Sequence, residues 1–282
     1  MHAQRITGAG LGLRWELMTS LQTHRPAIID FFEISPENWI GLGGQRAGML
    51  RWFTERYPFV AHGLSLSLGG LAPLDVAFLK RIKAFLTEHR IPLYTEHLSY
   101  CDDGAHLYEL LPIPFTEEAV HYVAERIRRT QDILEQQIAL ENASFYVAAP
   151  IADMDELSFI RAVVEEADCL LHLDVNNLYV NSVNHGYDPY EFLRGLPGRR
   201  IVYIHVAGHD QEKPNLIIDT HGQPVIDPVW DLLDTAYDAF GVFPTLLERD
   251  FNIPPLEQLL PEVERIAERQ RTYQLRRLKR TA

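Results

Sequence analysis

The sequence predicts an α/β fold, a single closed (β/α)8 barrel of the TIM type in one domain over residues 1–282, with its site at the C-terminal ends of the strands. Three observations predict it. Short runs rich in apolar, β-branched and aromatic residues alternate with segments of helical periodicity along the chain. No Pro/Ser-rich linker or run of like charge divides it. And the apolar runs repeatedly stop at Glu, His or Asp, as Leu170-Leu171-His172-Leu173-Asp174-Val175-Asn176-Asn177 does. A strand buried on both faces has no solvated side for a carboxylate, so Asp174 must meet a cation, a cluster of donors or the open end of a barrel. In the blander alternative Asp174 caps the following turn, and Asn176 and Asn177 bond local backbone.

Taken in order, Gly12-Leu13-Arg14 reads as a short first strand after a glycine-rich start, followed by a helix over 15–23. The second strand is the run 28–34, which carries Glu33 and leads into Pro36-Glu37-Asn38. A helix over 45–57 precedes strand three, 59–66. Val76, Leu79, Ile82, Phe85 and Leu86 then mark a helix over 75–89. Strand four is 93–98, and the loop behind it, running to Pro114, is long for a simple connection. Thr116-Glu117-Glu118 opens a helix over 116–136. Strand five is 138–142, a helix follows over 155–167, and strand six is the stretch from Leu170. A loop through Asn184-His185-Gly186 leads to a short helix over 188–196. Strand seven is 201–206 and strand eight 245–248, with a helix over 228–239 between them. The glycines Gly8-Ala9-Gly10-Leu11-Gly12 precede the predicted first strand, the wrong place for the dinucleotide fingerprint of a doubly wound sheet.

With 46% hydrophobic residues the chain can bury a substantial core. The 26 Lys and Arg against 39 Asp and Glu give a net charge of -13, which repels phosphate backbones and anionic lipid and so disfavours nucleic acid and membrane as partners. The basic cluster 271–280 fits a solvated face of the last helix. Met1 to Gly10 lacks the apolar core of a signal peptide, and no apolar run reaches the roughly 18 residues of a membrane span, so a cytoplasmic protein is expected. Cys101 and Cys169 are too far apart in sequence for a short-spaced zinc pair and are read as reduced thiols.

If the barrel is right, the strand ends bring together His62, His97, Glu141, Asp174, His205 and Glu248. The loop after strand seven adds Asp219-Thr220-His221, whose i, i+2 spacing in an extended segment would turn both side chains one way. Asn177 reaches the same end from the turn after Asp174. So many oxygen and nitrogen donors exceed what one octahedral ion needs, which implies bridging carboxylates and two or three metal ions. Each residue alone has an ordinary explanation: a satisfied core histidine for His62, an ion pair with Arg249 for Glu248, a turn for Asp219-x-His221. It is their recurrence at nearly every strand end that points to metal. Donors of this kind without a thiolate fit iron, manganese or zinc. His24, His89 and His121, on helices, and His106, in a loop, receive no role.

The segments G-L-G-L-R, F-F-E-I-S-P-E-N-W with the following G-L-G-G, H-G-L-S-L-S-L-G-G, T-E-H-L-S-Y, E-N-A-S, H-L-D-V-N-N-L-Y-V-N-S-V-N-H-G and Y-I-H-V-A-G-H-D resemble the multinuclear non-haem iron-dependent oxidative enzymes, from Gly10 to Asp250. The resemblance implies a barrel holding two or three irons, Fe(II) and Fe(III), with dioxygen as co-substrate, that oxidises cysteine or other residues of a ribosomally made precursor peptide. It also implies a small partner protein that delivers the peptide. By motif position it makes His62, His97, Glu141, Asp174, Asn177, His205, Asp219, His221 and Glu248 the metal ligands and gives His185 and His209 possible catalytic roles. Under it Glu141 and Asp174 would bridge or divide the irons, and Asn142, Asn176 and Asn184 would orient ligands. The same ring of donors also resembles the divalent-metal isomerases and the abasic-site endonuclease of the xylose-isomerase type, but that nuclease would carry His at Asn177 and a basic face. A barrel that only stores or is braced by metal is the third reading.

Overall fold

Inward-facing side chains decide where each strand can lie, and the first strand shows it. A Cβ on Gly10 would run into the ring of Phe31 on the neighbouring strand. Only glycine fits there, so the glycine tract is itself the strand, β1 (Ala9–Gly12), and not the lead-in to a strand at 12–14. In the computed structural model, which describes residues 6–102 and 106–281, β1 joins seven further parallel strands in a closed barrel. These are β2 (Phe31–Ile34), β3 (Phe59–Gly63), β4 (Leu93–His97), β5 (Ala139–Glu141), β6 (Leu170–Asp174), β7 (Ile201–Val206) and β8 (Thr245–Leu247), each paired with the next and β8 with β1. The reading of the extreme N-terminus lies, for its first five residues, outside the described ones.

Contacts divide the described residues into two compact units, one from 34 to 172 and one of 6–33 with 173–281. In the first, the helices α2 (Gly44–Thr54), α3 (Val76–His89), α4 (Glu117–Leu134) and α5 (Glu156–Glu166) follow their strands. Asp75, Thr116 and Asp155 cap the last three by accepting N–H bonds from Phe78, Ala119 and Ser158. Each buries one stripe, Val120, Val123, Ala124 and Ile127 on α4 for example. The loop after β4 is no irregular connection but a two-stranded hairpin, Tyr100–Asp102 against His106–Leu111, whose tip lies outside the described residues. The loop after β3 is braced by Arg126, which donates to the carbonyls of Ser67, Leu68 and Ala72, while the Tyr122 hydroxyl donates to that of Gly70.

The second unit carries α1 (Trp15–His24), α6 (Val175–His185), α7 (Pro189–Gly195), α8 (Asp227–Phe240) and α9 (Leu256–Thr281). The sequence predicts a loop where α6 lies. Asparagines are poor helix formers, but here Asp174 caps the helix by accepting the Asn177 N–H at 2.8 Å, Gly186 ends it at φ 77, and Asn176, Asn177, Leu178, Val180, Asn181 and Ser182 are buried. The segment between β7 and α8 likewise contains a hairpin, Asp210–Lys213 against Leu216–Ile218. Both carboxamide atoms of Asn184 engage the backbone of Ile217 there, so Asn184 ties α6 to the hairpin. No helix among the described residues is long and apolar enough to cross a membrane.

Candidate metal centre

Register sets which side chains share the barrel interior. His62 pairs with Thr95, His97 with Glu141 and Glu141 with His172, and paired residues on parallel strands project to one face. Within the first unit this gathers His62, His97, Glu141 and His172. Nε2 of His62 lies 2.9 Å from Oε2 of Glu141, and Nε2 of His97 lies 3.2 Å from the same oxygen. The other nitrogen of each ring is held by a neutral oxygen: Nδ1 of His62 by the Thr95 hydroxyl at 2.6 Å, Nδ1 of His97 by the Gly63 carbonyl at 3.1 Å. His62, Glu141 and His172 present donor atoms that all lie within 4.8 Å of one another.

The second unit repeats the arrangement with carboxylates as anchors. Nδ1 of His205 lies 2.8 Å from Oε2 of Glu248 and 3.9 Å from Oδ2 of Asp174, while its Nε2 bonds Glu33 at 2.9 Å. Nε2 of His221 lies 2.7 Å from Oδ1 of Asp219, and its Nδ1 bonds Asp250 at 3.1 Å. Asp219 and His221 do come together, but through a turn and not an extended segment, because His221 has φ 49 and the Thr220 N–H donates to the Ile218 carbonyl. Asp250 is in turn clamped by Arg14. His221, Glu248 and Asp250 form a second group of closely spaced donors, and Asp174, His205 and Glu248 are mutually as close.

The rings of His97, His205 and His221 thus have one nitrogen tied to an acceptor and the other aimed at a carboxylate, the arrangement that leaves a lone pair for a metal, and the ring of His62 has one nitrogen on a hydroxyl and the other aimed at Glu141. Oε2 of Glu248 is buried and close to two imidazoles, yet makes no aligned hydrogen bond, and the same holds of Nε2 of His221. Charge fits a cation too. Burial alone would lower the pKa of His221, but Asp219 and Glu248 outweigh it and raise it well above 6.5. Burial would raise Glu248, but His205 and His221 hold it well below the usual carboxylate range. Carboxylates packed this densely recruit positive charge, as protons or as a metal ion. The residues present therefore suit a hard or borderline metal.

Asn177 is buried in the first turn of α6, its N–H spent on Asp174. Asn176 reaches past its local backbone: it donates to Oδ1 of Asp219 at 2.7 Å and accepts from Nδ1 of His209 at 2.7 Å. His209 is buried and stacked on Tyr179, and burial lowers its pKa. His185 is the last residue of α6, about 16 Å along the helix from Asp174 at 1.5 Å per residue. Sequence reasoning passed over His172, Glu33, Thr95 and Asp250. For three of them the signal was period two: His172 stands two before Asp174, Thr95 two before His97, and Asp250 two after Glu248.

The sequence matches the family described as RiPP precursor modification enzyme MbnB/TglH/ChrH over residues 8–271. A UPF0276 protein of Nitrosospira multiformis is 70% identical over 263 residues, 93% of each chain. One of Pseudomonas aeruginosa PAO1 is 52% identical over 271 residues, 96% of this chain and 95% of that one. Among solved structures, a xylose isomerase-like TIM barrel protein of Mycobacterium smegmatis in complex with magnesium superimposes with a TM-score of 0.64 at 12% identity, over 97% of this chain and 99% of that chain. D-psicose 3-epimerase of Clostridium cellulolyticum H10, with D-tagatose, does so with a TM-score of 0.61 at 10% identity, over 95% and 96%. Likeness at such identity is one of fold.

Proposed function

Since the chain belongs to the family of RiPP precursor modification enzymes MbnB/TglH/ChrH, we propose that it is an iron- and dioxygen-dependent oxidase that modifies cysteine residues of a ribosomally made precursor peptide. In this reading the barrel works as one domain in the cytoplasm. His62, His97, Glu141, Asp174, Asn177, His205, Asp219, His221 and Glu248 hold two or three irons. The observation that carries it is the set of four imidazoles, His62, His97, His205 and His221, each anchored through one nitrogen with the other turned to a carboxylate. Bound iron would bind and acidify a substrate thiolate and supply, with dioxygen, the oxidising power.

The chain's own part is to place and protonate. The Gly63 carbonyl, Glu33 and Asp250 fix the tautomers of His97, His205 and His221, and the Thr95 hydroxyl orients the ring of His62. His209, kept neutral by burial and donating from Nδ1 to Asn176, has Nε2 as its basic atom and is the residue we assign to accept a proton. A separate small protein delivers the peptide to the rim near the hairpin after β4. Support for a docking rim comes from apolar side chains on the βα loops of the first unit, Leu71 at 83%, Val147 at 74% and Ile151 at 67% exposed.

The test is metal analysis and Mössbauer spectroscopy on anaerobically purified protein, then oxygen uptake and peptide mass with the product of a neighbouring reading frame and a candidate Cys-containing peptide. Iron at stoichiometric level and an oxidised peptide are expected. Stoichiometric zinc with little iron, or full turnover of free sugars without peptide, would replace this reading by the isomerase or hydrolase one.

A further inference from the structure

Glu33 lies on β2 in an apolar run, far in sequence from the residues it serves. Its Oε2 accepts from the Tyr203 hydroxyl at 2.9 Å and lies 2.9 Å from Nε2 of His205, aligned as a hydrogen bond. All three side chains are buried, with Glu33 at 2% exposure and Tyr203 and His205 at 0%. The Phe31 ring packs edge-on against Tyr203, and Tyr203 edge-on against His205, which fixes the height of the imidazole in the barrel. A buried carboxylate is tolerated only where donors face it, and here one oxygen collects two.

We propose that Glu33 is a positioning residue: it takes the Nε2–H of His205 and so makes Nδ1 the metal-binding nitrogen, turned to Glu248 and Asp174. The proposal rests on the metal-centre reading. It gains force from a contrast within the molecule. The ring of His62 is anchored by a hydroxyl, and that of His97 by a backbone carbonyl with the Glu96 carboxylate 3.7 Å away, whereas those of His205 and His221 are hydrogen-bonded to the carboxylates of Glu33 and Asp250. A carboxylate partner pushes electron density into the ring and raises its basicity as a ligand, which a neutral oxygen does far less. Glu33 therefore does more than orient: it makes His205 a stronger donor than His62, whose ring is held by a hydroxyl. Without Glu33, the proton of a neutral His205 would settle on Nδ1, against the Glu248 carboxylate 2.8 Å away, and occupy the position a metal needs.

Two measurements decide it, one with metal and one without. In the first, iron(II) is titrated anaerobically into wild type, Glu33→Gln and Tyr203→Phe. Glu33→Gln should lose about 10- to 100-fold in affinity at one site with its circular dichroism unchanged, and Tyr203→Phe, which keeps the carboxylate, should stay near wild type. Wild-type affinity in Glu33→Gln would overturn the proposal. In the second, nitrogen-15 NMR of the metal-free protein, taken up in pH until His205 carries a single proton, should find that proton on Nε2 in wild type and on Nδ1 in Glu33→Gln; an unprotonated Nε2 in wild type would overturn it equally. Failure of wild type to bind iron would refute the metal reading, while the NMR arm would still judge Glu33 by itself.

Discussion

Nε2 of His62 and Oε2 of Glu141 stand 2.9 Å apart in the barrel interior, on strands that are not neighbours, with His97 reaching the same oxygen from the strand between them. Glu141 thereby serves two imidazoles at once. Glu141→Gln should keep the shape and lose the charge that draws a cation. Bound metal should fall in Glu141→Gln and in His97→Ala while the thermal midpoint of the metal-free protein holds, as checked by elemental analysis and circular dichroism. Full metal content in both would remove this group from the centre.

Asp174 has two tasks that substitution can separate. Its Oδ1 caps α6 through the Asn177 N–H, and it faces His205 with Oδ2. Asn caps a helix about as well as Asp. Asp174→Asn should therefore lose metal at nearly unchanged stability, and Asp174→Ala should lose metal and about 1 kcal/mol as well. His221→Ala should lose metal and turnover alone. Denaturant midpoints of the metal-free proteins distinguish the three.

Gly10→Ala is expected to destabilise the barrel by roughly 1–3 kcal/mol, because the new methyl group meets the Phe31 ring in a packed interior. Phe31→Leu in the same chain should recover part of the loss. Two independent, additive losses would mean that this contact is not the cause.

Arg126 bonds three carbonyls of the loop after β3. Arg126→Ala should cost on the order of 1–3 kcal/mol, and amide exchange should quicken over residues 67–72. If that loop helps to receive a partner protein, Arg126→Ala should also weaken peptide turnover through KM more than kcat. Unchanged exchange would show that the loop holds itself.

The carboxyl of Glu37 is pushed up to about 7, first by burial and then by the charge of Glu96, against the stabilising Leu64 N–H bond. A group whose folded pKa is raised above its unfolded value contributes stability that is complete below the unfolded pKa and is lost as pH rises through the folded one. The metal-free protein should accordingly lose stability between pH about 4.5 and about 7, and Glu37→Gln should flatten that slope. Parallel stability curves for the two proteins would assign the titration elsewhere.

Much of this molecule is legible locally, because a barrel strand must be apolar where it is packed and can turn polar only where it opens on the site. That asymmetry marks seven of the eight strands, most of the helices between them and six strand-end side chains from His62 to Glu248 without any coordinates. Elements whose reasons are distant are not marked. The helix α6 exists because its amides are buried among partners such as Asp219 and His209, which outweighs the poor propensity of its asparagines. Gly10 of β1 makes room for a ring 21 residues on, at Phe31.

The amino-acid sequence by itself determined the kind of chemistry: imidazoles and carboxylates at strand ends, no thiolate, an acidic surface. Tertiary structure alone decided which nitrogen of each ring is held, and by what. His205 and Glu33 are separated by 172 positions in the chain, and their hydrogen bond exists only because β7 and β2 face one interior. A tautomer is a choice between two nitrogens of one ring, worth no more than the partner that holds one of them, and that partner comes from another strand.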